Sequence, residues 1–318
     1  MDPSAIANDS ATFDMARLML RISAMRKHFF AMVTLALMLG VAGHRAAAAD
    51  AGPTLVDSAW LAQHLHDANL VLLHVGDRKE FDEAHIPGAQ FIALNDISDA
   101  GASLRLELPS IDALARTFES RGISNNSRIV VYPGKDWYSP STRVIWTLTF
   151  MGLGDRTSLL GGGMPAWRAA GHPVTADVAS PTAGHLTPQA HPEVKADAAY
   201  VLEHLHQPGT AVLDVRTAKS YSGEPDNGMP RAGRIPSAQS LPFEVLFDDK
   251  GELKDRSAIA DLFAAAGAKP GTQVVSYCYV GQRATMVWFA ARLLGFDAKM
   301  YDGSWEEWSR RTDLPIER

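Results

Sequence analysis

The stretch that decides the fold is Gln273-Val-Val-Ser-Tyr-Cys-Tyr-Val-Gly-Gln-Arg283. Gln273 to Tyr277 is a short apolar run with β-branched and aromatic side chains, which reads as a buried strand. Cys278 follows at once, then Tyr279, Val280, Gly281, Gln282 and Arg283, and from Thr285 to Leu294 the apolar spacing becomes helical. A strand that passes through a short loop into a helix is the unit of parallel, doubly wound sheets. The C-terminal end of such a strand, facing a helix N-terminus, is where these sheets carry their sites.

Outward from this stretch, one order of elements occurs twice. The first copy runs through a helical pattern over Asp57 to Leu65, a strand at Leu70-Val-Leu-Leu-His74 and a turn at His85-Ile-Pro-Gly-Ala89. A buried strand at Arg128-Ile-Val-Val-Tyr132, a helix over Thr142 to Met151 and Gly161-Gly-Gly163 before Trp167 complete it. The second has Ala196 to Leu205, Ala211-Val-Leu-Asp214, Arg234-Ile-Pro-Ser-Ala238, then the stretch quoted above, and Asp302-Gly303 before Trp308. Trp146 maps onto Trp288, and Trp167 onto Trp308. Between the copies, Ala179 to Val194 carries Pro181, Pro188 and Pro192 without periodicity and reads as a linker. The expected fold is α/β: two domains, 53–178 and 195–318, each a doubly wound parallel sheet flanked by helices, joined by 179–194. An insert in the second copy, Ser222 to Gly233, is expected to be a surface loop.

The chain has 318 residues, 46% hydrophobic and 21% charged, which suits a globular protein with room for two cores. Its net charge is -6, and no block of Lys and Arg offsets it, which argues against a nucleic-acid partner. A small anionic substrate remains compatible with a locally positive site. The single cysteine rules out an internal disulfide and a thiolate metal site, and the eleven histidines lack paired ligand spacing. No metal and no cofactor are expected. His204 and His206 read as structural.

The N-terminal 49 residues read as a targeting segment. Arg26, Lys27 and His28 give a basic start, Phe29 to Val41 an apolar run, and Ala46 to Ala49 small residues before Asp50. The run is too short for comfortable membrane spanning, which takes about 20 residues. The expectation is translation from Met25, cleavage after Ala49, a periplasmic or secreted protein, and no stable membrane insertion afterwards.

A loop of successive N–H groups at a helix N-terminus forms an anion nest, and the helix dipole adds about half a positive charge. Arg283 adds a full charge if it turns inward. A free thiol titrates near pH ~8.5, and such settings lower this by one to several units, so Cys278 is expected to form a thiolate. Gly281 lets the loop close without a Cβ clash. The bland reading of a lone cysteine after a strand is a small buried hydrophobe.

With His85 to Ala89, Asp214-Val-Arg216, Cys278 to Arg283 and Asp302-Gly-Ser-Trp-Glu-Glu-Trp308 in view, the chain resembles the tandem rhodaneses, the thiosulfate or 3-mercaptopyruvate sulfurtransferases. The resemblance covers nearly everything from Pro53 to Arg318. It implies a sulfurtransferase in which the first copy is silent and Cys278 of the second carries sulfur as a persulfide. A small anionic donor and a thiol or cyanide acceptor are implied, with Tyr279, Val280, Gly281, Gln282, Arg283 and Arg216 as binding residues. Trp137, Tyr138 and Trp305 are candidates for walls of an inter-domain cleft. Asp214 and Arg216 read equally well as a structural ion pair. Ten residues before Trp288 stands Cys278; ten before Trp146 stands Asp136, which cannot accept a sulfane sulfur.

Two departures bear on the donor. An arginine that family enzymes often carry four residues after the position of Arg216 is Ser220 here, preceded by Lys219. The cysteine loop matches neither the basic thiosulfate type nor the small-residue mercaptopyruvate type. Thiosulfate is the favoured donor and 3-mercaptopyruvate the alternative. The C-x4-R spacing is one residue shorter than the C-x5-R loop of cysteine phosphatases, which argues against a phosphatase or arsenate reductase. A non-catalytic persulfide carrier would use the same loop, and a scaffold of two inert copies would need an unreactive Cys278.

Overall fold

A computed structural model describes residues 52–135, 138–225 and 228–318. The targeting segment, Asp136 and Trp137 lie outside the described residues. The first half contains β1 (Leu55–Val56), α1 (Ser58–His64), β2 (Leu70–Val75), α2 (Arg78–Glu83), β3 (Gln90–Ile92), α3 (Ile111–Glu119), β4 (Arg128–Pro133), α4 (Tyr138–Phe150), β5 (Thr157–Leu160) and α5 (Gly163–Ala169). The second contains β6 (Lys195–Ala196), α6 (Ala198–Glu203), β7 (Thr210–Asp214), α7 (Ala218–Tyr221), β8 (Gln239–Ser240), α8 (Arg256–Ala265), β9 (Gln273–Tyr277), α9 (Ala284–Leu294), β10 (Ala298–Tyr301) and α10 (Ser304–Arg310). Each half forms a five-stranded sheet, ordered β1-β5-β4-β2-β3 and β6-β10-β9-β7-β8, with every neighbouring pair parallel.

Strand alternation explains why both faces of each sheet are covered. On β4, Ile129 and Val131 join one core, while Val130 and Tyr132 join another with Leu61, Phe81 and Trp167. On β9, Val274 joins the first core, while Val275 and Tyr277 join a third with Val201 and Trp308. The first core is shared: it takes Ile145, Trp146 and Leu148 from α4 and Val287, Trp288 and Phe289 from α9. Cys278 points into this shared side.

The duplication extends to individual hydrogen bonds. Asp57 caps α1 through the Trp60 N–H and Asp197 caps α6 through the Tyr200 N–H, each at 2.7 Å. The His64 and His204 rings bond the carbonyls four residues earlier, both at 2.8 Å, which is the structural role expected of His204. The Trp167 and Trp308 indoles donate to Pro173 and Pro315, both at 2.8 Å. In the two turns, Gly88 and Ser237 occupy the same left-handed conformation, φ 83 and 63.

The Pro-rich segment is strapped to the first half. Gly184 donates to the Glu119 carbonyl, Leu186 to the Glu119 side chain, and Leu186 is buried. The insert of the second half is likewise pinned: Arg231 donates to the carbonyls of Trp308, Ser309, Arg311 and Leu314.

Candidate active site

Cys278 leaves β9 as the sheet ends and begins a loop that closes at Ala284, the first residue of α9. Its N–H donates to the Ser304 hydroxyl at 3.2 Å, and that hydroxyl donates to the Tyr301 carbonyl at 2.8 Å. The Cys278 and Tyr279 carbonyls accept the N–H groups of Trp305 and Glu306 at 3.0 and 2.9 Å, so both face the start of α10. A trans peptide sets each carbonyl opposite the next N–H. The N–H groups of Tyr279 and Val280 are therefore turned away from α10. Those of Val280, Gly281 and Gln282 donate to no protein acceptor among the described residues. Gly281 stands at φ 77, and a Cβ there would meet the Asp302 carbonyl oxygen at 2.7 Å.

The thiol is nearly out of contact with solvent: Cys278 is 1% exposed. A reactant must be admitted by the loop, and the burial itself fits the bland reading of a small core residue. The amides favour the other reading: three successive N–H groups without protein acceptors among the described residues form an anion nest beside the thiol, with Gly281 buried and Val280 and Gln282 half-buried.

Arg216 donates to both carboxylate oxygens of Asp214, at 3.0, 3.2 and 2.6 Å, and to the Gly233 carbonyl at 2.8 Å. Burial opposes its charge, but the Asp214 bonds outweigh this and raise its pKa. Tyr277 also donates to Asp214, at 2.6 Å, and burial followed by the Asp214 charge raises its pKa well above the usual phenol value. The structure thus brings Arg216 beside the loop, 5.8 Å from the Tyr279 ring and 4.4 Å from the Trp305 ring, with its guanidinium already engaged. Trp305 is buried and donates to the Arg231 carbonyl at 3.2 Å. Ser220, where the family often has an arginine, bonds the Tyr279 hydroxyl at 2.6 Å. Arg283 lies 5.0 Å from the Phe243 ring and 5.8 Å from the Tyr279 ring.

Phe243 also lines a cavity of about 590 Å³ between the halves, with Tyr138, Lys135, Phe247 and Glu252. Tyr138 stacks on Phe247 at 5.4 Å, and its hydroxyl accepts the Gly162 N–H at 2.7 Å. Trp305 and the Cys278 loop are not among the cavity's described walls; the loop is linked to the cavity by Arg283 over Phe243 and by Gln282, which donates to Ser139 beside Tyr138 at 3.1 Å.

The first half is corrected in register. His74 pairs with Tyr132 as Asp214 pairs with Tyr277, so the sheet sets Pro133, not Asp136, opposite Cys278. From strand tyrosine to helix tryptophan the first half takes 14 residues (Tyr132 to Trp146) and the second 11 (Tyr277 to Trp288), because α4 starts about a turn earlier relative to its tryptophan, which counting back from Trp146 could not reveal. Proline has no sulfur-accepting atom either. The buried ion pair Arg143–Asp302 (2.7 Å), spanning the two halves, also escaped sequence reasoning. Its available signal was a lone arginine in the otherwise uncharged run Tyr138 to Phe150.

A model of the Rhodanese-like domain matches residues 57–170 and again 197–311. The chain is 31% identical over 277 residues to the sulfur carrier protein TtuD of Thermus thermophilus, covering 82% of this chain and 95% of that one. It is also 31% identical over 273 residues to thiosulfate sulfurtransferase of Gallus gallus, covering 84% and 90%. The solved 3-mercaptopyruvate sulfotransferase of Escherichia coli superposes with a TM-score of 0.71 at 25% identity, covering 80% of this chain and 99% of that one. Matched in both halves of its length, the chain belongs to the rhodanese family and carries two Rhodanese-like domains in tandem.

Proposed function

We propose that the chain is a sulfurtransferase that moves a sulfane sulfur from thiosulfate to a thiophilic acceptor through a persulfide on Cys278. The observation that carries this reading is the loop itself: one thiol at the start of the loop into α9, with the Val280, Gly281 and Gln282 amides left without protein acceptors among the described residues. The Cys278 thiolate attacks the outer sulfur of thiosulfate. A new S–S bond forms, the donor S–S bond breaks, and its electron pair leaves with sulfite. Cyanide or a thiolate then attacks the terminal sulfur, forming thiocyanate or an acceptor persulfide and restoring the Cys278 thiolate. Splitting one transfer into two displacements predicts ping-pong kinetics. Amides fixed in advance stabilise the anionic donor and the persulfide. Arg283, held against Phe243 and Tyr279, supports a donor with a compact anionic head. The catalytic copy is then residues 195–318, and the first copy contributes Tyr138 to the neighbouring cavity. The basic, apolar and small-residue pattern of residues 1–49 supports export to the periplasm or medium, testable by sequencing the mature N-terminus.

Steady-state kinetics with thiosulfate and 3-mercaptopyruvate side by side, cyanide as acceptor, tests the reading. The expected result is parallel double-reciprocal lines, no turnover in Cys278→Ala, and a preference for thiosulfate. A hundredfold preference in kcat/KM corresponds to about 2.7 kcal/mol. The reverse preference would assign mercaptopyruvate. A protein that loads sulfur once but does not turn over would be a carrier, a second reading supported by the likeness to TtuD.

A further inference from the structure

Two side chains of the half without a cysteine reach the cysteine loop: Ser139 accepts from the Gln282 side chain at 3.1 Å, and Arg143 bonds the loop backbone. Arg143 of α4 is 1% exposed and crosses to the second half. Its Nη1 donates to Asp302 Oδ1 at 2.7 Å and to the Gly281 carbonyl at 3.3 Å. Its Nη2 donates to the Leu106 carbonyl, and its guanidinium lies 4.5 Å from the Trp146 ring. The other Asp302 oxygen faces the Lys195 ammonium at 3.0 Å. The guanidinium is thereby fixed on three sides, and its position dictates where the Gly281 carbonyl points. With that carbonyl drawn toward Arg143, the N–H of Gln282 in the same peptide unit faces the opposite way. That N–H has no protein acceptor among the described residues. Thr285 stands in the second half where the tryptophan register puts Arg143, so the device works in one direction only.

We infer that Arg143, in the silent half, is a positioning residue for the sulfur-carrying loop: it sets the Gly281–Gln282 peptide so that the Gln282 N–H is offered to an anion bound at Cys278. This rests on the sulfur-transfer reading of the loop. It gives the duplicated half a chemical task besides packing.

The test compares the intact wild type with Arg143→Lys and with the double variant Arg143→Gln/Asp302→Asn. The double variant removes the two buried charges together, so net charge at the interface is unchanged, and only the part-exposed Lys195 ammonium loses its carboxylate. The readouts are melting temperature, the ratio of Cys278 alkylation rates with iodoacetate and iodoacetamide, and thiosulfate:cyanide kinetics. The expected result is a folded double variant whose iodoacetate:iodoacetamide ratio and kcat each fall about tenfold, as befits a displaced anion-binding amide. Arg143→Lys, which keeps the charge but lacks a fork of donors, is expected to fall between the two. Either folded variant keeping the wild-type ratio would overturn the assignment, as would a wild type without preference for the anionic reagent. A wild type that prefers iodoacetate yet never turns over thiosulfate would instead sink the sulfurtransferase reading alone.

Discussion

Gly281 holds a left-handed conformation, φ 77, with the Asp302 carbonyl oxygen 2.7 Å from where a Cβ would stand. Gly281→Ala is expected to cost about 1–3 kcal/mol of stability and to lower sulfur transfer, because the loop must shift to admit the methyl group. Chemical denaturation with a transfer assay checks both; a fully stable, fully active variant would contradict the loop geometry. His74 is buried, and neither ring nitrogen has a hydrogen-bond partner among the described residues. Burial, then the neighbouring His85, pushes its pKa down to about 4, while Glu80 opposes the shift. The folded state therefore favours neutral His74, and its contribution is whole above the unfolded pKa of about 6.5 and is lost as pH falls toward 4. Between pH 7.5 and pH 5 this amounts to about 2 kcal/mol of lost stability. His74→Leu is expected to flatten that slope in urea titrations at the two pH values; an unchanged slope would assign it elsewhere. Cys278 and Gly281 were legible in the sequence because they sit in a local strand-loop-helix pattern, and the Ser220 departure was legible only through the family resemblance. The commitment of Arg216 to Asp214 was one of two open readings, since sequence gives proximity of the pair but not where the guanidinium points.

At the scale of elements, the strands at 70–75, 128–133, 210–214 and 273–277 match the apolar runs closely, because each strand is buried on both faces and reads as unbroken hydrophobicity. Helix α4 begins at Tyr138 rather than Thr142, since its first turn is buried against the second half and carries little helical periodicity. The register error at Asp136 has the same origin: how far before Trp146 helix α4 starts is not encoded in any pattern. The ion pair joining α4 to Asp302, two residues before α10, follows from three-dimensional closeness alone. Burial opposes ionisation of Asp302, but Arg143 and Lys195 outweigh it and hold its carboxyl below the ordinary range. Asp302→Ala strands a buried guanidinium and is expected to destabilise the fold by about 3–5 kcal/mol. A loss under 1 kcal/mol on thermal and urea unfolding would contradict the buried geometry of the pair.

For the whole molecule, the duplication was readable from repeated motifs, but the shared core was not. Met286, Val287, Trp288, Phe289 and Ala290 of α9 are all fully buried, in one core with α4. A helix buried on nearly every side cannot keep its cover if the chain is cut. Residues 195–318 expressed alone are expected to aggregate or to lose near-ultraviolet ellipticity. A monomeric, active second half would contradict the shared core and the Arg143 assignment together.

The central claim is that Cys278 receives one sulfur atom from a small anionic donor and gives it up again. Intact mass spectrometry of the protein before thiosulfate, after thiosulfate and after cyanide tests it most directly. The account predicts a gain of one sulfur atom on the wild type, one equivalent of sulfite released, reversal by cyanide with thiocyanate formed, and no change in Cys278→Ala. A wild-type mass unaltered by thiosulfate and by 3-mercaptopyruvate, or sulfur retained on the Cys278→Ala chain, would contradict it.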